Sequence, residues 1–239
     1  MLFRSGTAAI TLDNTSNDFG GAVSLSNSGA NDVSVRDSNT LQVGTTGVGS
    51  GAFVLNAVSG IDITGNVTLS GIVTIDADTD TDAAGSFSIA DGITFNLGNS
   101  NIDITITASD INLNSTGVLQ SNGGAIILQP STAARTIALE DGTGDFSLSA
   151  AELNRIITTG VVTIGRADGS GTISVGSAGA INLAATSYDL TLRGSASPVV
   201  FNLGVGNSLT LADGKTLTLG GGGAITSPGT GTNDIVIGG

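Results

Sequence analysis

The sequence predicts an all-β fold, specifically a parallel β-helix (β-solenoid) of about ten coils. Three observations predict it. Apolar–polar–apolar triplets recur along the whole chain, and Gly, Asn, Asp and Ser separate them. Hydrophobic residues make up 39% of the 239 residues but aromatic ones only 3%, so we expect a thin core of stacked Val, Ile, Leu and Ala.

The triplets have the alternation that is typical of half-buried strands, and they are rich in β-branched residues. Neighbouring triplets lie about nine residues apart, a spacing that suggests an all-β fold. Representative triplets are Val33-Ser34-Val35, Ile61-Asp62-Ile63, Val67-Thr68-Leu69, Val73-Thr74-Ile75, Ile111-Asn112-Leu113, Ile173-Ser174-Val175 and Leu209-Thr210-Leu211.

Two other all-β architectures fit less well. A membrane barrel needs strands of about ten residues with aromatic girdles. A sandwich favours longer strands, of about five to six residues, and bulky core residues. Coils of two to three short strands fit the triplets, and about ten coils would make a rod of roughly 50 Å.

One helical signal interrupts the strands. Ser149 and Glu152 have the spacing of a capping box, and Leu153 and Ile156 follow on one helical face. We predict one short corner helix near residues 149–157, with a structural role.

Charge and composition exclude several functions. The chain has 20 acidic and seven basic residues, for a net charge of −13, and the basic residues are scattered singly. Nucleic-acid binding requires clustered Lys and Arg, so we expect no nucleic-acid partner. The sequence has no apolar run of about 18 residues, so we expect no membrane insertion by a helix.

The ends suggest a fragment. Residues 1–5 match a translated sequencing adapter, so we interpret them as a non-native leader, and we read residues 6–239 as a single solenoid segment. The first ten residues contain no signal peptide. We therefore expect a piece of a longer protein that stacks on flanking coils of the parent chain.

The inventory of reactive side chains argues against catalysis. The chain contains no His and no Cys, which removes the commonest general base and the thiol nucleophile. Some parallel β-helices are polysaccharide lyases or pectin hydrolases, which use clustered Asp, His, or Arg and Lys. No comparable cluster is evident here, so we predict that the chain is not an enzyme, with no catalytic residues.

The densest acidic cluster consists of Asp76, Asp78, Asp80 and Asp82. An EF-hand counted from Asp76 would need Gly and Glu where Thr81 and Phe87 stand, so this is not an EF-hand. Two interpretations remain: a weak Ca²⁺ site at a solenoid corner, or a solvated acidic loop. We expect no other cofactor.

Several segments resemble repeats of giant filamentous-haemagglutinin-like exoproteins. These segments are Asn17 to Val33, Val73 to Asp76, Leu128 to Ser131, Ser149 to Ile156 and Val162 to Gly165. The resemblance extends from about residue 9 to residue 230, although other secreted β-strand repeats share its style. It implies a right-handed β-helix, two-partner secretion, and a role in adhesion, biofilm or cell-surface display.

The sequence thus predicts a structural or adhesive solenoid segment of a secreted or cell-surface bacterial protein. Its expected partners are surface glycans or proteins of host or neighbouring cells. The alternatives are a carbohydrate-active β-helix enzyme and a calcium-dependent binding module.

Overall fold

The chain folds into a parallel β-solenoid of about 9 turns, as the triplets predict, and its described residues include one short helix. The computed structural model describes residues 1–98, 101–142, 144–195, 199–200, 207–220 and 234–237, with 199–200 and 234–237 by backbone only. The number of turns is slightly below the predicted ten coils.

The strands are short because each one spans a single side of a coil. Those of the first part are β1 (Leu2–Ser5), β2 (Ile10–Leu12), β3 (Ser24–Asn27), β4 (Val33–Asp37), β5 (Leu41–Val43), β6 (Thr46–Val48), β7 (Phe53–Ala57), β8 (Gly60–Ile63), β9 (Val67–Leu69), β10 (Val73–Asp76), β11 (Ser86–Ile89), β12 (Thr94–Asn96), β13 (Ile104–Ala108) and β14 (Ile111–Leu113). The remainder are β15 (Val118–Gln120), β16 (Ile126–Pro130), β17 (Ile137–Leu139), β18 (Phe146–Leu148), then helix α1 (Ala150–Leu153), β19 (Ile156–Ile157), β20 (Val161–Ile164), β21 (Ile173–Val175), β22 (Ile181–Leu183), β23 (Asp189–Arg193), β24 (Val199–Val200), β25 (Ser208–Leu211), β26 (Leu217–Gly220) and β27 (Asp234–Ile237).

The described strands form five parallel sheets. Three of them define the three faces of the solenoid, and a separate three-stranded sheet, β22-β25-β27, lies in the C-terminal part. Face A is the seven-stranded sheet β1-β3-β6-β9-β12-β15-β19, and face B is the nine-stranded sheet β2-β4-β7-β10-β13-β16-β20-β23-β26. Face C is the four-stranded sheet β5-β8-β11-β14, beyond which the sheet β18-β17-β21-β24 continues the stack through the contact of β14 with β18. In each regular coil the chain visits faces A, B and C in that order.

Inward side chains of successive coils stack in register, which builds the core. On face B one buried ladder starts at Val33 and continues through Phe53, Val73, Ile104, Ile126, Val162 and Leu190. Outward neighbours such as Thr74 are exposed, so the alternation predicted for the triplets is confirmed.

The core is more aromatic than the composition suggests. Phe53, Phe87, Phe95, Phe146 and Tyr188 are among the largest fully buried side chains, and the rings of Phe87 and Phe95 pack edge to face with centroids 6.3 Å apart. The expectation of a purely aliphatic core was therefore wrong. The few aromatic residues present are concentrated inside because each one buries a large area.

The corner between faces A and B, here called the A–B corner, is tight. Gly51 and Gly71 precede β7 and β10 at this corner, and a Cβ on Gly71 would overlap the carbonyl oxygen of Gly51 in the preceding coil. Gly124 occupies the same place before β16 and meets the carbonyl oxygen of Ile102. The absence of a side chain is what lets successive coils approach at this corner.

In the part of the chain that the structure describes, the regular winding is interrupted between β16 and β19. Strand β17 pairs in parallel with β18, the strand that follows it, and β18 lies against β14. The chain therefore steps back by one strand before it resumes face A at β19, which pairs with β15.

Helix α1 forms at the corner after this step. Ser149 and Glu152 make the predicted capping box, with Ser149 Oγ 3.2 Å from the amide of Glu152 and Glu152 Oε2 2.8 Å from the amide of Ser149. The helix is shorter than predicted, since it ends at Leu153 and Ile156 already belongs to β19. Buried Leu153 anchors it to the core.

Residues 2–5 form β1 and pair in register with β3, while Phe3 packs against Phe19. That residues 1–5 are a non-native leader stays a prediction, and so does the handedness of the winding. Among the described residues no helix is long and apolar enough to cross a membrane.

Candidate functional site: the acidic loop at the B–C corner

The corner between faces B and C, here called the B–C corner, carries loops of very different length. Residues 58–59 and 109–110 turn it in two positions, whereas residues 77–85, 131–136 and 165–172 form longer loops. The acidic loop, defined as residues 77–85, leaves the end of β10 and contains three of the four predicted cation ligands.

The structure brings Asp78, Asp80 and Asp82 together. One carboxylate oxygen of each lies within 4.8 Å of those of the other two, and Asp78 is buried while Asp80 and Asp82 are exposed. Asp76, the fourth predicted residue, is not part of this group. It sits at the end of β10, where its Oδ1 accepts a hydrogen bond of 3.2 Å from the amide of Asp78.

Backbone hydrogen bonds tie the acidic loop to the coils on both sides. The amide of Thr79 donates to the carbonyl oxygen of Ala57 at 3.1 Å, and the amide of Ala77 donates to that of Thr107 at 2.8 Å. Inside the loop, Thr81 and Ala83 have φ of 58° and 74°, the left-handed region that side chains other than glycine rarely adopt. The loop therefore holds a defined conformation.

Asp78 is anchored by a residue two coils further along. Ser131, which directly follows β16, donates its hydroxyl to Asp78 Oδ2, although the two residues are 53 positions apart in the chain. The coil between them turns this corner in only two residues, which leaves space for the acidic loop to reach across it. No spacing in the sequence signals this contact.

Arg166 donates its hydrogen bonds to residues outside the cluster of Asp78, Asp80 and Asp82. Arg166 donates to both oxygens of Asp168, at 2.9 and 3.1 Å, and to the carbonyl oxygens of Pro130 and Ser131, at 3.2 and 3.0 Å. Burial raises the pKa of Asp76, and the negative charge of Asp78 adds to the rise. The hydrogen bond with Asp168 raises the pKa of Arg166, and that of Asp168 is lowered for the same reason.

A second concave site lies beside α1, with a volume of about 250 Å³. Its carboxylates already serve the fold. Glu140 Oε2 accepts from the amide of Ala150, Glu152 Oε1 accepts from the amide of Leu113, and Asp141 accepts from the hydroxyl of Ser177. These carboxylates cap the helix and bind neighbouring coils, which is structural chemistry.

The comparison with known families gives one match. A family model described as repeats of unknown function (DUF5649) matches residues 1–26, the stretch from β1 into β3. No curated protein and no solved structure matches the chain. The match covers little more than the first coil, and together with the fold it makes the chain a repeat protein.

The class of protein is thus a structural repeat β-solenoid. Its described surface consists of three sheet faces with mostly polar outward positions and of the corner loops above. That the chain is a segment of a filamentous-haemagglutinin-like exoprotein is a proposal.

Proposed function

We propose that the chain is a rod-like spacer segment of a large secreted bacterial surface protein, and that it makes adhesive contacts along face B. The observation that carries this proposal is the continuity of face B, whose nine strands run from Ile10 to Gly220 in one sheet. At about 4.8 Å per strand, such a sheet extends for about 40 Å.

A solenoid suits a spacer because each coil contacts mainly its neighbours, so added coils lengthen the rod without changing its cross-section. In the described chain, the strongest contacts between elements are those between adjacent strands of one sheet, such as β13 with β16. The resemblance to haemagglutinin-like repeats supports placement at the cell surface and two-partner secretion of the parent protein. We propose that the chain is not an enzyme.

The outward ladder of face B supports adhesive contacts. Its register aligns, strand after strand, mostly threonine side chains: Thr11, Ser34, Val54, Thr74, Thr105, Ile127, Thr163, Thr191 and Thr218, of which Thr163 is buried. Hydroxyl groups at one-strand spacing offer both donors and acceptors to glycans or to an extended polypeptide. Surface glycans and proteins of host or neighbouring cells are the partners that we propose.

The test is binding of the purified chain to arrays of glycans and matrix proteins. We expect saturable binding to one class, lost in a variant with Thr74→Glu, Thr105→Glu and Thr191→Glu. The control carries Thr68→Glu, Gln42→Glu and Asn112→Glu, three outward positions on faces A and C. The control adds the same negative charge and should bind like the wild type.

Other outcomes change the proposal in defined ways. Absence of binding by a protein with β-rich circular dichroism would leave a passive spacer and remove the adhesive part. Shortening of an arrayed polysaccharide, detected as new reducing ends, would instead support the alternative of a carbohydrate-active enzyme.

A further inference from the structure

Two buried oxygen atoms in the acidic loop have no hydrogen-bond partner. They are Asp78 Oδ1 and Thr79 Oγ1, on consecutive residues. Asp78 is 0% exposed, and only its Oδ2 is engaged, by the hydroxyl of Ser131. Buried carboxylates in folded proteins are paired, hydrogen-bonded or bound to metal ions, so an unengaged Oδ1 at full burial points to a missing positive partner.

Arg166 does not fill this role. Arg166 directs its guanidinium to Asp168 and to the carbonyl oxygens of Pro130 and Ser131. Asp80 and Asp82 add negative charge beside Asp78 and are exposed, so an ion from solvent can reach the cluster.

The spacing of the carboxylates matches the size of a calcium ion. Ca²⁺ binds oxygen ligands at about 2.3–2.6 Å, so two oxygens on one ion lie no more than about 5 Å apart. One carboxylate oxygen each of Asp78, Asp80 and Asp82 lies within 4.8 Å of those of the other two. An all-oxygen set suits Ca²⁺, which accepts flexible coordination geometry, whereas Mg²⁺ demands near-ideal octahedral geometry.

We propose that Asp78, Asp80 and Asp82 bind one Ca²⁺ ion, with water completing its coordination. Asp76 is a positioning residue, because its Oδ1 holds the amide of Asp78. Because Ser131 is bound to Asp78, the ion joins the acidic loop to a coil that lies two coils away. Calcium binding therefore stiffens the B–C corner, whether or not face B binds a partner.

The test compares thermal unfolding of the full chain in CaCl2, in MgCl2 and in EDTA, followed by circular dichroism, together with calorimetric titration of CaCl2. The test variant is Asp80→Asn with Asp82→Asn. Both residues are exposed, and the side-chain oxygen that remains in Asp82→Asn can still accept from the amide of Ala84, so folding is preserved. The control, Asp13→Asn with Asp213→Asn, removes two exposed carboxylates elsewhere.

We expect CaCl2 at ten times its dissociation constant to raise the Tm of wild type and control by about 3–6 °C. MgCl2 should raise it less, and the test variant should not respond to CaCl2. An equal rise in all three proteins would overturn the proposal, since general screening of the −13 net charge would explain it. No rise in the wild type, with no heat on titration, would overturn it as well.

Discussion

The two corners that flank face B are built on opposite principles. At the A–B corner, Gly51 and Gly71 stack so closely that a Cβ on the second would overlap the backbone of the first. At the B–C corner, the connections range from two residues to the nine of the acidic loop, and they contain Asp78, Ser131 and Arg166. One corner sets the distance between coils, whereas the other accepts insertions and carries the polar chemistry.

This difference shows where such a rod can change without losing its shape. Successive coils must keep a constant spacing along the solenoid axis. At the A–B corner, contact between backbones that carry no side chain sets this spacing. Once it is fixed, loops at the other corner can vary in length because they project from the stack. New binding sites are therefore expected at the B–C corner, as loops usually carry function on a rigid scaffold.

Gly71→Ala is the most severe test of the close approach of coils at the A–B corner. Its Cβ would meet the carbonyl groups of Gly51 and Ser50, and backbone atoms cannot move aside as a flexible side chain can. We expect a loss of about 3 kcal/mol in the free energy of unfolding, measured by denaturant titration. Gly47→Ala is the matched control, because a Cβ at exposed Gly47 meets nothing within 4 Å. Equal losses in both would contradict the role of the A–B corner.

A smaller effect is expected from Arg166→Ala at the B–C corner. The guanidinium, 23% exposed, holds the carbonyl oxygens of Pro130 and Ser131 on the neighbouring coil. Losing these charge-assisted hydrogen bonds should cost about 2 kcal/mol in denaturant unfolding. Asp168→Asn should change stability little, because Asp168 is largely exposed and surface ion pairs contribute little. If Asp168→Asn cost as much as Arg166→Ala, the ion pair would be the stabilising contact instead.

A stabilising change is expected inside the acidic loop. Ala83 is exposed and has φ of 74°, a conformation that costs a residue with a Cβ about 1 kcal/mol relative to glycine. Ala83→Gly should therefore stabilise the protein by about 0.5–1 kcal/mol in denaturant unfolding. Exposed Ala84 is not among the residues with positive φ, so Ala84→Gly should destabilise slightly. A loss in both variants would show that the loop does not hold this conformation.

The sequence predicts the repeating part of this molecule and not its contacts between distant coils. Alternation in triplets such as Val73-Thr74-Ile75 identifies a strand and its buried face, because burial of every second residue is a local property. The capping box at Ser149 is equally local. Strand β6 contains no apolar–polar–apolar triplet, because its inward Thr46 is polar. The buried hydroxyl of Thr46 accepts from the amide of Leu25 and donates to the carbonyl oxygen of Gly44.

The candidate site was predictable in part for the same reason. The Asp-x-Asp-x-Asp spacing marks the acidic loop, since nearby residues of a short loop stay close in space. This spacing does not predict that Asp76 lies apart from the cluster, at the end of β10, or that Asp78 is buried. Asp78 accepts a hydrogen bond from Ser131, and that contact depends on the lengths of the intervening coils. Such information exists only in the folded chain.

Asp110, in the short turn of the B–C corner between β13 and β14, makes stability depend on pH. Burial, with a further contribution from the charge of Glu152, raises the pKa of Asp110 above its ordinary value of 3.8. At pH values between the pKa of Asp110 in the unfolded chain and its higher pKa in the folded protein, the folded protein binds more protons than the unfolded chain. The contribution of Asp110 to stability therefore falls as the pH rises through this window, and it is constant above the folded pKa.

Asp110→Asn removes this titration while keeping an oxygen that can accept from the amide of Ser147, now at 2.7 Å. Measured by denaturant unfolding from about pH 4 to about pH 7, the stability of the variant relative to wild type should increase with pH. Asp13→Asn removes one exposed loop carboxylate and is the control for net charge. Parallel pH curves for wild type and Asp110→Asn would mean that the turn leaves Asp110 in contact with water. The short connections of the B–C corner would then be as open to solvent as its long ones.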